Sequence, residues 1–287
     1  MMIRSRMVRP MKPVDFYSLP HYYDILHEPG TPGEVDGLFD IMRRFVGSVR
    51  DPVWLEPACG TGRYLIEAAR RGVHGIGFDI MPKMVEYANR RAESEGVEAM
   101  TEMFVADMRS FTRGRVDRPA HLAFNLINTI RHVNSDAAML DHLDCVAKSL
   151  APDGVYAVGI SLCAYGQEPE TEDIWTGKRG GVQISQVVNY IPAFGRNGNA
   201  ARIERVISHL TVTRSGEEEH IDSSYGLRSY DREQWRKLID ESAMEIIATT
   251  DEHGEDFPEP VVGYIIYILR ARQARSKTSR SRSPVSR

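Results

Sequence analysis

The sequence predicts an α/β fold built on a doubly wound, mostly parallel sheet. Three observations carry that reading. Short apolar runs alternate with helix-period segments between residues 53 and 160. The first run leads into a turn of small residues, Ala58-Cys59-Gly60-Thr61-Gly62, that opens a helix. Finally, each of the first three strands ends beside an acid: Glu56, Asp79 and Asp107.

In chain order, segment 16–26 is dense in rings (Phe16, Tyr17, Tyr22, Tyr23) and reads as a docking element ahead of the turn residues Pro29, Gly30, Pro32 and Gly33. Val35, Leu38, Phe39, Met42 and Phe45 fall at helical spacing, which predicts an amphipathic helix ending near Gly47. Strands are predicted at 53–55, 75–78, 102–105, 121–126 and 155–160. Between them lie a helix at 63–71 and another opened by Pro82, whose missing N–H costs nothing in a first turn. A further helix is capped by Ser135 and closed at Pro152-Asp153-Gly154. Beyond Leu162 the β-type segments 182–190 and 202–213, joined by 195–199 and 214–217, predict an antiparallel insertion over about 163–230. Helix 232–242 and strands 245–250 and 261–269 complete one domain over 16–270, between a flexible start at 1–15 and a disordered basic tail at 271–287.

With 287 residues, 42% hydrophobic and 26% charged, the chain can bury a core without staples. Cys59, Cys145 and Cys163 are widely separated and show no zinc spacing, so reduced thiols and no metal site are expected. The basic start (Arg4, Arg6, Arg9, Lys12) is broken by Pro10, Pro13 and Asp15 rather than followed by an apolar run, which argues against a signal peptide. No apolar run reaches membrane-spanning length, and the protein is expected in the cytoplasm. Six Lys and Arg lie in 271–287, so a net charge of −4 leaves −10 on the body, which disfavours nucleic acid as a partner. No feature of the sequence specifies an oligomeric state.

The turn after the first strand reads by itself as a plain glycine turn or as a dinucleotide loop. The acids shift that balance. Asp79 ends the next strand, 23 residues after Glu56, where a carboxylate can accept both hydroxyls of an adenosine ribose. Asp107 after the third strand is placed to accept from an adenine amino group, with Met108 packing on the ring. A pyrophosphate disfavours a carboxylate at the turn, whereas an ammonium and a sulfonium favour Glu56 there. Leu65 holds the place of the third glycine in G-x-G-x-x-G, which weakens the dinucleotide reading further.

With these residues in view, the chain resembles the class I S-adenosylmethionine-dependent methyltransferases. Glu56-Pro57-Ala58-Cys59-Gly60-Thr61-Gly62 is similar to their first motif, although Ala58 stands where many members have glycine, and residues 77–84 are similar to the segment after their second strand. Ala106-Asp107-Met108 resembles their adenine-binding segment, residues 150–154 the turn before their fifth strand, and 230–243 their penultimate helix. The resemblance implies strand order 3-2-1-4-5-7-6 with the last strand antiparallel, and an insertion that serves as a lid, as in the sugar-amine N-methyltransferases. It implies S-adenosylmethionine as cofactor, held by Tyr22, Glu56, Ala58, Gly60, Gly62, Asp79, Ile80, Asp107, Met108 and Asn125. His132 and Tyr23, beside Asp24, are then the catalytic candidates, with Arg131 nearby.

The expected reaction is in-line methyl transfer to a nitrogen or oxygen of a small-molecule acceptor, driven mainly by alignment. A plainer role for the tyrosines is packing at the sheet edge, and for His132 the lining of a wall. Two other functions fit parts of the pattern: an NAD(P)-dependent oxidoreductase, and a non-catalytic S-adenosylmethionine-binding module.

Overall fold

The computed structural model describes residues 15–111 and 118–272. The basic start and most of the basic tail lie outside those residues. At the edges of the described chain, Asp15 accepts from Tyr17 N and caps a short 3-10 turn, Phe16–Ser18. At the other end, Arg272 donates its N–H to Ala243 O at 2.8 Å, so the last strand runs past the expected boundary at 270.

The central sheet has seven strands: β1 (Val53–Pro57), β2 (His74–Asp79), β3 (Thr101–Val105), β4 (Ala120–Asn125), β5 (Leu150–Leu162), β10 (Met244–Thr250) and β11 (Gly263–Ala271). Their order is β3-β2-β1-β4-β5-β11-β10. All pairings from β3 to β5 are parallel, and β11 runs antiparallel to both β5 and β10. Counted within this sheet alone, that is the 3-2-1-4-5-7-6 order implied by the resemblance.

β1 is buried on both faces, as a central parallel strand must be. Val53 and Leu55 point into a core shared with α5 (Asp136–Ser149) and α6 (Arg232–Glu241). Trp54 points the other way, into a core formed with α2 (Thr31–Phe45), α3 (Arg63–Arg70) and α4 (Pro82–Ser94). Ser135 caps α5 by accepting from Ala138 N at 3.2 Å, as its sequence position predicts. The helix ends earlier than expected, at Ser149. Residues 150–154 are not a free turn but the irregular entry to β5, where Leu150 pairs with Ala120. A Cβ on Gly154 would come within 2.5 Å of Ala120 O, so only glycine fits that approach.

The insertion is a separate antiparallel sheet of four strands, paired in chain order: β6 (Thr171–Arg179), β7 (Val182–Ile191), β8 (Ile203–Arg214) and β9 (Glu217–Arg228). The inner two, β7 and β8, answer the expected segments. The outer two escape the sequence pattern because β6 is exposed along nearly its whole length and β9 opens on four exposed polar residues, which erases the apolar alternation. The inner face of the insertion packs Val182, Ile184, Leu210 and Val212 on Phe16, Ile25 and Leu26. Ile25 and Leu26 belong to α1 (Pro20–His27), and the aromatic segment docks where its composition suggested.

Candidate active site

The turn after β1 is held open by its backbone. Ala58, Gly60 and Gly62 take φ values of +56°, +53° and +69°. Two of these are glycines, to which the left-handed region is open, while Ala58 bears a cost of about 1–2 kcal/mol. Asp79 fixes the turn from the end of β2, its two oxygens accepting from Gly60 N at 2.9 Å and Met81 N at 2.8 Å. Burial raises the Asp79 carboxyl above its usual range, and these backbone N–H groups pull it back. Each oxygen keeps a free lone pair for a further donor such as a ribose hydroxyl.

Glu56, at the end of β1, is 6% exposed, and its Oε2 is buried without a partner. Burial pushes its carboxyl well up; Arg63 opposes that and Asp79 adds to it. The neighbouring charges are already committed, since Arg63 donates to Thr31 Oγ1 at 2.8 Å and to Glu34. Glu56 shares its cavity with Tyr23, Ala58, Gly60, Asn125 and Ile127. A buried carboxylate oxygen lacking a donor is costly, and an ammonium brought against it supplies the missing partner.

On the other side of Ala58 lies a cavity of about 210 Å³ lined by Ile80, Ala106, Asp107, Met108, Arg109, His132 and Val133. It presents an apolar slot with one carboxylate at the rim, a form suited to a flat heterocycle. Asp107 already receives both Arg109 Nε, at 2.9 Å, and Arg109 Nη2, so its charge is paired and its carboxyl lies below the usual range.

His132 is presented by the short helix Thr129–His132 after β4. Its Nε2 lies 3.0 Å from Tyr17 Oη, and its ring stands 5.2 Å from Tyr17 and 5.4 Å from Tyr225 of β9. Tyr23 stands 6.0 Å from Tyr17 and 4.3 Å from His27, and His27 in turn 5.5 Å from Trp175 of β6. Rings from the amino-terminal segment, the β4 loop and the insertion thus form one aromatic wall. Burial lowers the His132 imidazole to about 4, with Arg131 acting in the same direction, so it is uncharged at neutral pH.

Glu56, Ala58, Gly60, Ile80, Asp79, Asp107, Met108, Asn125, Tyr23 and His132 therefore meet around one crevice at the carboxyl ends of β1, β2, β3 and β4. Gly62 sits just behind it as the first residue before α3, where a Cβ would strike Met103 Sδ at 2.6 Å. Tyr22 differs from its expected placement: it packs against the core of the insertion rather than lining either cavity. The Asn125 amide is occupied on both sides, donating to Pro57 O and accepting from Tyr156 Oη. Arg131 turns from the crevice to Arg228 O at 2.9 Å and Ser229 Oγ at 3.1 Å, bracing the insertion. Asp24 is fully buried and receives Arg91 at 2.6 Å, Arg179 at 2.7 Å and Tyr87 at 2.9 Å. Sequence reasoning did not single out Tyr17, His27, Trp175 or Tyr225 for the crevice; only Tyr17 carried a local signal, the density of rings around it.

Residues 55–154 match a family described as a methyltransferase domain. By sequence the chain is similar to lysine N-methyltransferases of the ATP synthase from Xenopus laevis, at 34% identity over 30% of this chain and 37% of the relative, and Homo sapiens, at 29% over 29% and 34%. It thus spans about a third of the length of the curated relatives it matches. Among solved structures it is similar to a S-adenosylmethionine-dependent methyltransferase from Clostridium acetobutylicum, with a TM-score of 0.68 at 15% identity over 89% of this chain and 98% of that one. DesVI from Streptomyces venezuelae gives a TM-score of 0.67 at 17% identity over 89% and 99%, a likeness of fold. CalS10, an amino pentose methyltransferase from Micromonospora echinaspora, gives 0.62 at 18% over 90% and 99%, again a likeness of fold. The expectation of a small-molecule acceptor is corrected by the first of these findings, since the curated relatives are named for methylating a lysine of a protein. Among the described residues no helix is long and apolar enough to cross a membrane. The matched domain, the strand order and a crevice that fits the family's cofactor identify the chain as a class I S-adenosylmethionine-dependent methyltransferase.

Proposed function

We propose that this protein transfers the methyl group of S-adenosylmethionine to an amine nitrogen, inside a chamber walled by the amino-terminal segment and the insertion. The observation that carries this reading is the position of His132, which lines the same cavity as Asp107 and Met108 while its ring joins the wall of Tyr17 and Tyr225. In it, Glu56 receives the ammonium of the cofactor, Asp79 the ribose, and Asp107 with Met108 the adenine. The bound cofactor supplies an electrophilic methyl on a sulfonium.

The choice of nitrogen follows from the acid–base character of the wall. An imidazole held near 4 is too weak a base to ionise a hydroxyl, and the Tyr23 hydroxyl, pushed far up by burial, stays protonated. An amine needs no strong base once it is uncharged, and transfer from water into an apolar chamber itself lowers an ammonium pKa. Ring faces attract the cationic product. His132 and Tyr17 then orient the nitrogen lone pair, and the aromatic wall excludes water. A lysine-bearing polypeptide is the first acceptor to assay, given the curated relatives' names.

The test uses methyl-labelled S-adenosylmethionine with lysine-containing polypeptides and follows label into product. A base-stable N-methyl product is expected, with kcat lowered at least tenfold in His132→Ala and cofactor affinity within about twofold. A base-labile methyl ester as product, or full turnover in His132→Ala, would overturn the proposal.

A further inference from the structure

A buried chain of side chains runs beneath the crevice and joins its two ends. His142, fully buried on α5, places Nδ1 2.8 Å from Met108 O and Nε2 2.7 Å from Tyr156 Oη. Tyr156 on β5 reaches Asn125 Oδ1 at the end of β4, and Asn125 Nδ2 reaches Pro57 O after β1. The chain thus begins on the backbone of the residue that walls the apolar slot and ends on the turn beside Glu56.

Both ends are carbonyl oxygens, which only accept. Nδ1 of His142 must therefore carry a proton to meet Met108 O, and the Asn125 nitrogen must face Pro57 O. With His142 neutral, as its burial dictates, Nε2 and Asn125 Oδ1 are both acceptors facing the single Tyr156 proton. One contact is always short of a hydrogen. A network that serves stability alone is better fully satisfied or replaced by apolar packing, so this one answers to another requirement.

We propose that His142 is a positioning residue for the cofactor: its Nδ1–H holds the Met108 carbonyl, and with it the Asp107–Met108 loop, at the height an adenosyl group needs, while Tyr156 ties that height to Asn125 at the methionyl end. This rests on the cofactor reading given above. The loop has few other anchors in this direction. Ala106 N donates to Asp79 O at 3.1 Å and Ser110 N to Asp107 O at 3.1 Å, but the Met108 carbonyl meets His142.

Two substitutions separate positioning from packing. In His142→Asn the side-chain amide can stand where Nδ1 stands, keeping the donor to Met108 O and losing the link to Tyr156; His142→Leu loses both. Calorimetry with S-adenosylhomocysteine, at protein concentrations corrected for the folded fraction, is expected to show affinity weakened about tenfold or more in His142→Leu and no more than about threefold in His142→Asn, with both melting below the parent. Should His142→Leu not fold, Tyr156→Phe leaves His142 in place with Nε2 free, and weakening of threefold or more is expected there. Parent-like affinity in folded His142→Leu, or in Tyr156→Phe, overturns the proposal. Failure of the parent protein to bind S-adenosylhomocysteine would instead overturn the cofactor reading, and the positioning role with it.

Discussion

Three buried histidines make the stability of this protein steeply dependent on pH below neutrality. Burial lowers His27, His132 and His142 each to about 4, with Arg63 adding at His27 and Arg131 at His132, and with Met108 O and Asp107 opposing at His142. In the unfolded chain each titrates near 6.5. A histidine whose folded pKa is depressed contributes stability that is complete above the unfolded value and is lost as pH falls from about 6.5 towards 4, because the unfolded chain then binds protons that the folded one refuses. At pH 5 the linkage amounts to about 2 kcal/mol per histidine, so about 6 kcal/mol for three independent sites, against a typical total of roughly 5–15 kcal/mol. Glu56 and Asp79, whose carboxyls are raised by burial, titrate in the opposite sense and offset part of this. Guanidinium unfolding at pH 7.5, 6 and 5 measures the net loss, and His27→Gln isolates one contribution because it removes the titration while leaving the crevice carboxylates in place. The loss between pH 7.5 and 5 should shrink by about 2 kcal/mol in that variant. Equal parent stability at pH 7.5 and 5, or an unchanged loss in His27→Gln, would refute the reasoning.

Glu56→Gln should weaken S-adenosylhomocysteine about tenfold by calorimetry yet leave the melting temperature equal or higher, since it replaces a buried carboxylate whose Oε2 lacks a partner. Asp79→Ala should abolish cofactor binding and also lower stability by about 2 kcal/mol in a denaturant titration, because the same carboxylate pins Gly60 N and Met81 N. Gly77→Ala should cost about 1–3 kcal/mol, read as a lower thermal midpoint, because its Cβ would lie 2.5 Å from Leu65 Cδ1 and 2.9 Å from Cys59 Sγ.

The parts of the fold legible in the sequence are those written locally. β1 to β5, α3 and α4 announce themselves through apolar period, a proline at a first turn and small residues before a helix, and the three acids are legible because each directly ends or follows its strand. The aromatic wall is different. Tyr17, His27, Trp175 and Tyr225 come from segments separated by up to 208 residues, and no spacing rule joins them. His142 was hidden for another reason: it lies among Met139, Leu143 and Val146 on the buried face of an ordinary core helix, and its partners are 34 and 14 residues away. Gly77 faces Leu65, the residue standing where a dinucleotide loop would have its third glycine, so the departure noted in the sequence is matched by a missing side chain on the neighbouring strand.

Asp24 shows how the wall and the sheet domain are held in register. It is fully buried, and its three donors come from two elements, Tyr87 and Arg91 on α4 and Arg179 at the end of β6. A buried ion pair is poor evidence for net stabilisation, but removing one partner from such a cluster typically costs about 3–5 kcal/mol because a charge is left uncompensated. The cluster therefore penalises any arrangement in which α1, α4 and the insertion shift independently. α1 carries Tyr23 and His27, and β6 carries Trp175, so the same penalty fixes the spacing of the rings that face the crevice. The residue next to the catalytic candidate Tyr23 thus acts on the chamber through the backbone it anchors, and entry of an acceptor must come by a movement that leaves the Asp24 junction intact.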